Sequence, residues 1–225
     1  MTQRRASRLP SAVLFDMDGL LVDTEPLWFL AEQRVVSALG GEWTKQHQED
    51  LLGSNLEYAA DYMIELTTSQ LSVDVVAAML KDAMTEQLRD GVVTFRPGAV
   101  ELMAELEAST IRTALVTSSV RDHLDLVLAA LPAHAFEVLV TGDDVTHKKP
   151  HPEPYLRALR LLGVAAGECV VLEDSPSGVA AAQAAGCVVV AVPSVVTIPA
   201  GPGRHVIDSL RQVDVDVLRR LVTRS

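Results

Sequence analysis

The chain has 225 residues and a formal net charge of −11. This length is sufficient for one large domain, or for one domain with a smaller insert, and it allows a substantial buried core. The negative charge excludes a nucleic-acid backbone as the expected partner, because proteins bind such a backbone through clustered Lys and Arg side chains that neutralise its phosphates.

The N-terminal stretch MTQRRASRLP is basic, but the apolar run behind it stops at Asp16 and is too short for the core of a signal peptide. We therefore expect a frayed tail there, and no apolar run approaches the length that spans a membrane. Cys169 and Cys187 lie in apolar runs without metal-ligand spacing, which predicts buried free thiols in a reducing compartment. We expect a cytoplasmic protein that works as a monomer, away from membranes.

The first predicted strand, AVLF at 12–15, ends at two closely spaced aspartates, Asp16 and Asp18, within DMDG. Like charges this close repel each other, so the pair makes sense if a cation lies between them or one of them is protonated. An ordinary acidic turn is the plain alternative. A calcium loop is excluded because Gly19 comes too early and the next residues lack ligand atoms.

From about residue 27 to residue 95 the sequence shows helical periodicity and no convincing buried strand. Several amphipathic helices are predicted here, and the turn-forming stretches DTEP and FRPG flank them as candidate hinges. We predict a helical-bundle cap domain at 25–95, inserted after the first strand. The core domain then consists of residues 1–24 and 96–225.

Beyond the insert, apolar strand patterns alternate with helical patterns. The strand patterns are nearly continuous apolar runs, as in parallel strands that are buried on both faces, and they fall at 111–117, 136–140, 169–174 and 187–192. The helical patterns fall at 97–109, 120–131, 152–163 and 176–186. A Pro/Gly-rich loop then precedes a final strand and helix. This order predicts an α/β fold with a doubly wound, Rossmann-like parallel sheet.

Polar residues follow four of these strands, and the carboxyl ends of parallel strands meet at one edge of a sheet. The residues are Asp16, Asp18, Thr117, Ser118, Ser119, Lys148, Lys149, Glu173, Asp174 and Ser175. Carboxylate oxygens suit Mg²⁺, whereas lysine and hydroxyl groups suit a phosphate. At such an edge Asp16 is free to attack phosphorus, and Asp18 is close enough to protonate the leaving group.

Four segments, in order, resemble the motifs of the haloacid dehalogenase-like hydrolases, in the branch that carries a helical cap after the first motif. They are DMDG, VTSS, KKPHPEP and EDSPSGVAAAQAAG. The resemblance covers nearly the whole chain, since the spacing between the first two segments leaves room for the cap. It implies an enzyme that uses Mg²⁺ and acts on a small phosphorylated metabolite.

Carried over position by position, the resemblance implies the following roles. Asp16 is the nucleophile that forms an aspartyl-phosphate, and Asp18 is the general acid and base. Lys149 is the stabilising lysine because Pro150 follows it, and Lys148 is a surface charge. The implied phosphate ligands are Thr117 and Ser118, and the implied metal ligands are Asp16, the backbone carbonyl of Asp18, Glu173 and Asp174. Glu173 has the alternative of stabilising a helix N-terminus by its charge.

The resemblance also bears on the reaction. Relatives that isomerise sugar phosphates carry a histidine a dozen residues beyond the nucleophile, where this chain has Trp28, and a cap arginine near a Leu-x-Gly segment, where LLGSN offers Asn55. We therefore favour a phosphatase for a small phosphomonoester, with sugar and polyol phosphates as candidates, over the alternative of a β-phosphoglucomutase-like mutase. Trp28 and Asn55 are candidate substrate contacts, although an aromatic at helical spacing is more often core.

A non-enzymatic alternative is a phospho-accepting receiver-like signalling domain. Such a module also places an acidic pair, a hydroxyl and a lysine on a doubly wound sheet. It needs no helical insert beside its aspartate and no second acid at the position of Asp18. The predicted insert at 25–95 therefore favours the enzyme.

Overall fold

The computed structural model describes residues 9–51, 54–131 and 136–223. The expected frayed tail and two residues of the LLGSN stretch lie outside the described residues. Six parallel strands form one sheet in the order β3-β2-β1-β4-β5-β6. They are β1 (Ala12–Phe15), β2 (Arg112–Val116), β3 (Val138–Val140), β4 (Cys169–Glu173), β5 (Val188–Ala191) and β6 (Arg204–Val206). The prediction of a doubly wound parallel sheet is confirmed.

Strand β1 occupies the centre of the sheet. Val13 is in register with Thr113 of β2 on one side and with Val170 of β4 on the other. The strand order reverses at this point, so the crevice beyond the carboxyl ends of β1 and β4 is where a ligand of such a fold binds. The sheet therefore directs attention to the residues that follow Phe15 and Leu172.

Helices cover both faces of the sheet, as its apolar strands require. Alternate residues of β1 point to opposite faces: Phe15 joins the cluster that contains helices α5, α6 and α9, whereas Leu14 joins the cluster that contains α7 and α8. These helices are α5 (Ala99–Glu107), α6 (Arg121–Ala130), α7 (Glu153–Leu162), α8 (Pro176–Ala184) and α9 (Val215–Thr223). Two cores thus hold the central strand rigidly from both sides.

The segment between β1 and α5 is helical in the described residues, as the sequence predicts. We refer to its four helices as the helical insert: α1 (Glu25–Ala38), α2 (Lys45–Leu51), α3 (Leu56–Thr67) and α4 (Val73–Asp90). The side chains of Asn55 and Ser72 accept backbone N–H groups at the starts of α3 and α4. Along the described parts of the chain, no helix combines the length and the apolar character that crossing a membrane requires.

Two chain segments connect the helical insert to the sheet, and they pair with each other. The N–H of Asp23 donates to the carbonyl of Thr94 at 2.8 Å, and the N–H of Arg96 donates to that of Leu21 at 2.8 Å. The chain that enters the helical insert at DTEP therefore lies beside the chain that leaves it at FRPG, the two expected hinges. Any movement of the insert must pass through this short paired connection.

One local expectation differs from the structure. The strand expected at 136–140 is shorter, because only Val138–Val140 pairs with β2. Lys149 lies in the loop before α7, which begins at Glu153, close to the start of the helical pattern at 152–163. Pro150 and Pro152 keep this loop out of the helix, because a residue that precedes proline is disfavoured in helical conformation.

Candidate active site

The polar residues that follow four strands meet at the carboxyl edge of the sheet. Asp16 follows β1 and Asp174 follows β4, and both are buried. Gly19 has a φ of +80°, and a Cβ atom there would lie 2.0 Å from Asp174 Oδ2. Glycine therefore allows the loop after β1 to fold against the Asp174 carboxylate, which brings the two strand ends together.

Lys149 lies between two carboxylates, although its loop is distant in sequence. Its Nζ donates to Asp16 Oδ1 at 2.6 Å, to Glu173 Oε1 at 2.6 Å and to the carbonyl of Val116 at 2.8 Å. Burial alone would lower the pKa of Lys149, but the two carboxylates raise it overall. The lysine is therefore a fixed positive charge at the end of β1.

Glu173 is fully buried, and both of its carboxylate oxygens are occupied. Oε1 accepts from Lys149 Nζ and from the hydroxyl of Tyr155 at 2.6 Å. Oε2 accepts the N–H of Asp174 at 3.1 Å, the N–H of Ser175 at 3.3 Å and the hydroxyl of Ser175 at 3.1 Å. A Cβ at Gly178 would lie 1.7 Å from Oε1, so this glycine makes room for the carboxylate. Glu173 is thus held as the acceptor that orients Lys149.

Hydroxyl groups surround the carboxylate of Asp18. Ser119 Oγ donates to Oδ2 at 2.7 Å and Thr117 Oγ1 donates to the same oxygen at 3.3 Å, whereas Thr24 Oγ1 donates to Oδ1 at 3.0 Å. Thr117 is buried, and its Oγ1 also accepts the N–H of Ser119 at 3.0 Å. Ser118 is exposed and lines the pocket in front of Asp18. Of the two expected phosphate ligands, Thr117 therefore orients Asp18, and Ser118 has the open hydroxyl.

Asp16 and Asp174 carry negative charge that Lys149 offsets only in part. Burial raises the pKa of Asp16 well above its usual value; Lys149 lowers it, and the carboxylates of Glu173 and Asp174 raise it further. Burial, and to a lesser extent the charge of Glu173, raise the pKa of Asp174 to about 7. The hydroxyl of Ser194 donates to Asp174 Oδ2 at 2.5 Å and has the opposite effect, lowering this pKa. Carboxylates that are buried beside other negative charges are stabilised by a bound cation.

Asp16, Glu173 and Asp174 each offer an oxygen within 4.8 Å of the others. This acidic cluster fits a divalent cation by its oxygen chemistry and by its excess of negative charge. Because five donors already occupy the oxygens of Glu173, the open oxygens are those of the two aspartates. The described residues offer no donor to the second oxygen of Asp16.

A pocket of about 640 Å³ lies between this edge and the helical insert. Trp28 of α1 lines it, and its ring packs edge-on against the buried His123 of α6 at 6.2 Å. Asn55 also lines it, but its Oδ1 accepts the N–H of Tyr58 at 2.8 Å and so caps α3. Both residues predicted to contact substrate thus lie at the pocket and also have structural partners.

A second group of possible ligands lies on the loop that carries Lys149. His147, His151 and Glu153 approach one another there, outside the pocket lining. Oxygens of Glu153 accept the N–H groups of Thr146 and His147 and the Nδ1 of His147 at 2.9 to 3.0 Å. We interpret these contacts as closing the loop, since the Glu153 oxygens are already occupied.

The sequence analysis assigned no individual role to several residues that hold the carboxylates of the site. Ser119 and Thr24 hold Asp18, Ser194 holds Asp174, and Tyr155 and Ser175 hold Glu173. Ser119 stands in the VTSS segment and so carried a signal. Ser194 lies in a Pro/Gly-rich loop, and Tyr155 lies within a helix, where neither pattern indicates a contact with a strand end.

Comparisons with known proteins agree with this geometry. The sequence matches the haloacid dehalogenase-like hydrolase family over residues 13–192. It is 34% identical to a phosphorylated carbohydrates phosphatase of Thermotoga maritima, over 78% of this chain and 81% of that protein, and 34% identical to hexitol phosphatase A of Escherichia coli, over 80% and 81%. The crystal structure of CbbY from Rhodobacter sphaeroides in complex with phosphate superimposes with a TM-score of 0.79 at 28% identity, over 90% of this chain and 95% of that chain. The chain belongs to the haloacid dehalogenase-like hydrolase family.

Proposed function

We propose that the protein is a Mg²⁺-dependent phosphatase that hydrolyses a small phosphomonoester, a sugar or polyol phosphate, through an aspartyl-phosphate. The observation that carries this proposal is the meeting of Asp16, Asp18 and Lys149 at one edge of the sheet, with a pocket in front of them. The names of the two phosphatase relatives support the same reaction class.

The first step falls to Asp16. With one oxygen bound to Lys149, its second oxygen attacks phosphorus, and the bond between phosphorus and the alcohol oxygen breaks. Asp18 gives a proton to the departing alcohol. Ser118, exposed at the pocket, is proposed to donate to the phosphoryl oxygens.

The second step reverses the role of Asp18. It takes a proton from water, the water oxygen attacks phosphorus, and the bond between phosphorus and Asp16 breaks to release inorganic phosphate. Ser119, Thr117 and Thr24 hold the Asp18 carboxylate while it changes protonation. A fixed position matters here, because general acid–base catalysis of this kind contributes ~10²–10⁴-fold only when the proton is within reach.

We propose that Asp16, the backbone carbonyl of Asp18 and Asp174 hold the Mg²⁺, and that Glu173 contributes by orienting Lys149. A bound Mg²⁺ supplies positive charge that offsets the charge of the aspartates and of the phosphoryl group. Ser194 supports this assignment, because its hydrogen bond to Asp174 Oδ2 fixes that carboxylate beside Asp16. The oxygen chemistry favours Mg²⁺ over a softer metal.

We further propose that residues 25–95 act as a cap domain over a core of residues 1–24 and 96–225. The paired connection between them supports a hinge, and closure would exclude bulk water from the pocket. All the groups of the proposed site come from one chain, so a monomer is sufficient. Cys169 and Cys187 are buried and free, which supports a reducing, cytoplasmic setting.

Phosphate release from p-nitrophenyl phosphate tests the reaction class. We expect turnover with Mg²⁺, loss of turnover with EDTA and recovery when Mg²⁺ is restored. A panel of sugar phosphates, polyol phosphates, phosphoglycolate and nucleotides then ranks the substrates. Absence of turnover on every member of the panel, with a folded protein, would contradict the proposal.

The same panel tests the mutase alternative. A mutase passes its phosphoryl group to a second oxygen of a sugar, so it interconverts sugar phosphate isomers faster than it releases inorganic phosphate when a sugar bisphosphate is present. The described lining of the pocket contains no arginine that would hold a second phosphate. We expect phosphate release to be the faster process; faster isomer interconversion would overturn the hydrolase assignment.

A further inference from the structure

The wall of the pocket opposite the sheet edge contains carboxylates that the proposed mechanism does not use. Glu25 and Glu32 lie seven residues apart on α1, with Trp28 between them, so all three side chains share one face of the helix. All three line the pocket. We refer to Glu25 and Glu32 as the acidic wall.

Glu32 is more than nine-tenths buried, with 8% of its surface exposed. The indole N–H of Trp43 donates to its Oε2 at 3.1 Å. Within the described parts of the chain, no other group donates to this carboxylate. Its other oxygen, Oε1, is not among the described side-chain atoms that are buried without a partner, so it is open to the pocket that Glu32 lines. A side chain in this condition at a pocket surface has capacity left for a donor that arrives with a ligand.

The acidic wall shares raised carboxyl pKa values with the sheet edge, but the described residues place no lysine against it as Lys149 is placed against Asp16. Burial raises the pKa of Glu32 to about 7, and the neighbouring Glu25 adds to the effect. Burial also raises the pKa of Glu25, to which the charge of Asp18 contributes. The charges of Asp18 and Glu25 act on each other, as do those of Glu25 and Glu32, so the three carboxylates make this side of the pocket acidic, and its negative charge is greatest above about pH 7, where Glu32 is ionised. A second anionic group on the ligand would be repelled on this side.

Few positive charges oppose the acidic wall. Of the lining residues that the structure describes, Lys81 is the cation that the helical insert contributes, and Glu57 is a further carboxylate from the insert. Gln48 donates to the backbone carbonyl of Glu25 at 3.1 Å and approaches its carboxylate at 3.5 Å. Among the described lining residues of the insert, three carboxylates, those of Glu25, Glu32 and Glu57, therefore outnumber the single cation of Lys81.

We propose that Glu32, assisted by Glu25, accepts hydrogen bonds from hydroxyl groups of the substrate's alcohol portion. The acidic wall thereby selects phosphomonoesters whose alcohol portion is uncharged and polyhydroxylated over those whose alcohol portion carries a carboxylate or a second phosphate. This inference rests on the proposed function and deepens it. Hydroxyl groups are the donors that match an acceptor-rich wall, and a site built to pair a hydroxyl discriminates strongly against an analogue that lacks it.

A matched pair of substrates tests the proposal. Glucitol 6-phosphate and 6-phosphogluconate differ at the far end of the chain, where one carries a hydroxymethyl group and the other a carboxylate. We expect kcat/KM to favour glucitol 6-phosphate by at least tenfold, which corresponds to ~1.4 kcal/mol. In the same way, fructose 6-phosphate should exceed fructose 1,6-bisphosphate. Equal rates, or a preference for the charged member of either pair, would overturn the proposal.

The variant Glu32→Gln assigns the selectivity to its residue. We expect kcat/KM for glucitol 6-phosphate to fall about tenfold, because an amide is a weaker acceptor than a carboxylate, and the ratio between the two substrates to shrink. A merely structural role of Glu32 would lower both rates equally and leave the ratio unchanged. The matched control is Glu65→Gln, which alters an exposed residue of α3 outside the pocket lining and should change neither rate.

A second variant and a second substrate test the proposal if Glu32→Gln does not fold or if the enzyme shows no activity. If Glu32→Gln fails to fold, as judged by circular dichroism, Glu25→Gln should shrink the ratio in the same direction, and an unchanged ratio would count against the acidic wall. Turnover of p-nitrophenyl phosphate separates the two proposals: turnover with a preference for 6-phosphogluconate contradicts the selectivity alone. No turnover on any ester contradicts the proposed function and the selectivity together.

Discussion

The two sides of the pocket differ in how completely their polar groups are paired. At the sheet edge, Lys149, Glu173 and Asp18 bind one another or nearby hydroxyls without any ligand. On the insert side, Glu32 accepts one hydrogen bond from the residues that the structure describes, although it is buried. The groups proposed for chemistry are therefore set in place by the fold, whereas the groups proposed for selectivity have capacity left for a substrate. Preorganisation of this kind lowers the cost of reaching the transition state.

The largest effect is expected from Asp16→Asn at the sheet edge. Turnover should fall by at least ~10⁴-fold, as is usual when a catalytic nucleophile is removed. The fold should survive, because Lys149 keeps its bonds to Glu173 and to the carbonyl of Val116. Steady-state kinetics with a thermal melt measures both, and Asp90→Asn at an exposed position is the control. Activity within a few-fold of wild type would show that the edge is preorganised for some other purpose.

Gly178→Ala tests the close contact between this glycine and the Glu173 carboxylate at the same edge. Alanine in a helix normally stabilises by ~1 kcal/mol relative to glycine, but here its Cβ would meet the Glu173 carboxylate. We expect a loss of ~1–3 kcal/mol in the free energy of unfolding, as for an overpacked core. Turnover should fall ~10²-fold, because Glu173 orients Lys149 and small displacements of catalytic groups are costly. Chemical denaturation and initial rates measure the two effects.

The control for that substitution is Gly167→Ala. No atom lies within 4 Å of the Cβ position at Gly167. This variant should match wild type in stability and in rate. If both glycine variants behave alike, close contact between Gly178 and Glu173 does not explain the requirement for glycine.

Ser194→Ala is expected to have a smaller effect, on the affinity for Mg²⁺. Without the hydroxyl that donates to Asp174, the pKa of this carboxyl rises further above about 7, so more of it is protonated at neutral pH. The Mg²⁺ concentration for half-maximal rate should increase about tenfold at pH 7, in line with a hydrogen bond to a charged group. The increase should shrink at pH 9, where Asp174 is ionised in both proteins.

The control is Ser177→Ala. Ser177 lines the same pocket, and its described hydrogen bond is with Ser175. Its Mg²⁺ dependence should equal that of wild type. If the Mg²⁺ concentration for half-maximal rate of Ser194→Ala is raised as much at pH 9 as at pH 7, protonation of Asp174 is not the cause.

The smallest effect concerns the insert side and is one of stability. The pKa of Glu32 is about 7 in the folded protein and 4.5 is its ordinary value. The folded state therefore binds a proton more tightly, and stability falls as pH rises from about 4.5 to 7. Glu32→Gln removes this loss and keeps an acceptor for Trp43, so it should exceed wild type by ~1–2 kcal/mol at pH 8.

At pH 5 the two proteins should be nearly equal in stability. Thermal melts at both pH values, without substrate, give the comparison, and a difference of a few degrees is expected at pH 8. A gap that is the same at pH 5 and pH 8 would show that Glu32 is not a strained buried carboxylate. The acidic wall would then lose its physical basis.

The sequence predicts the sheet edge better than the insert wall, for a physical reason. Continuous apolar runs identify buried strands, and the residue after each strand must lie at the edge, so Asp16 and Asp174 could be placed together in advance. Ser194 could not, because it reaches Asp174 from a loop without periodicity. Lys149 was placed at this edge as a polar residue beyond the third predicted core strand, and its contact with Asp16 agrees with that placement.

The insert offers weaker signals. Its four helices follow from amphipathic spacing, yet that spacing does not reveal which polar residues face the core domain. Glu32 stands next to Gln33 and Arg34 in the sequence and looks like a solvated helix residue, although the fold buries it. Asn55 was expected at the pocket and is also the N-cap of α3. Selectivity depends on how the insert docks onto the sheet, and this relation is absent from local patterns.

The covalent role of Asp16 is the central claim, and trapping of its phosphorylated form tests it most directly. The protein is mixed with a saturating phosphomonoester and Mg²⁺, quenched in acid within the first turnovers, and mapped by peptide mass spectrometry. The account predicts a single phosphoryl group on the peptide at Asp16, which disappears as substrate is exhausted. A phosphoryl group on another residue, or none at any time while phosphate is being released, would contradict it.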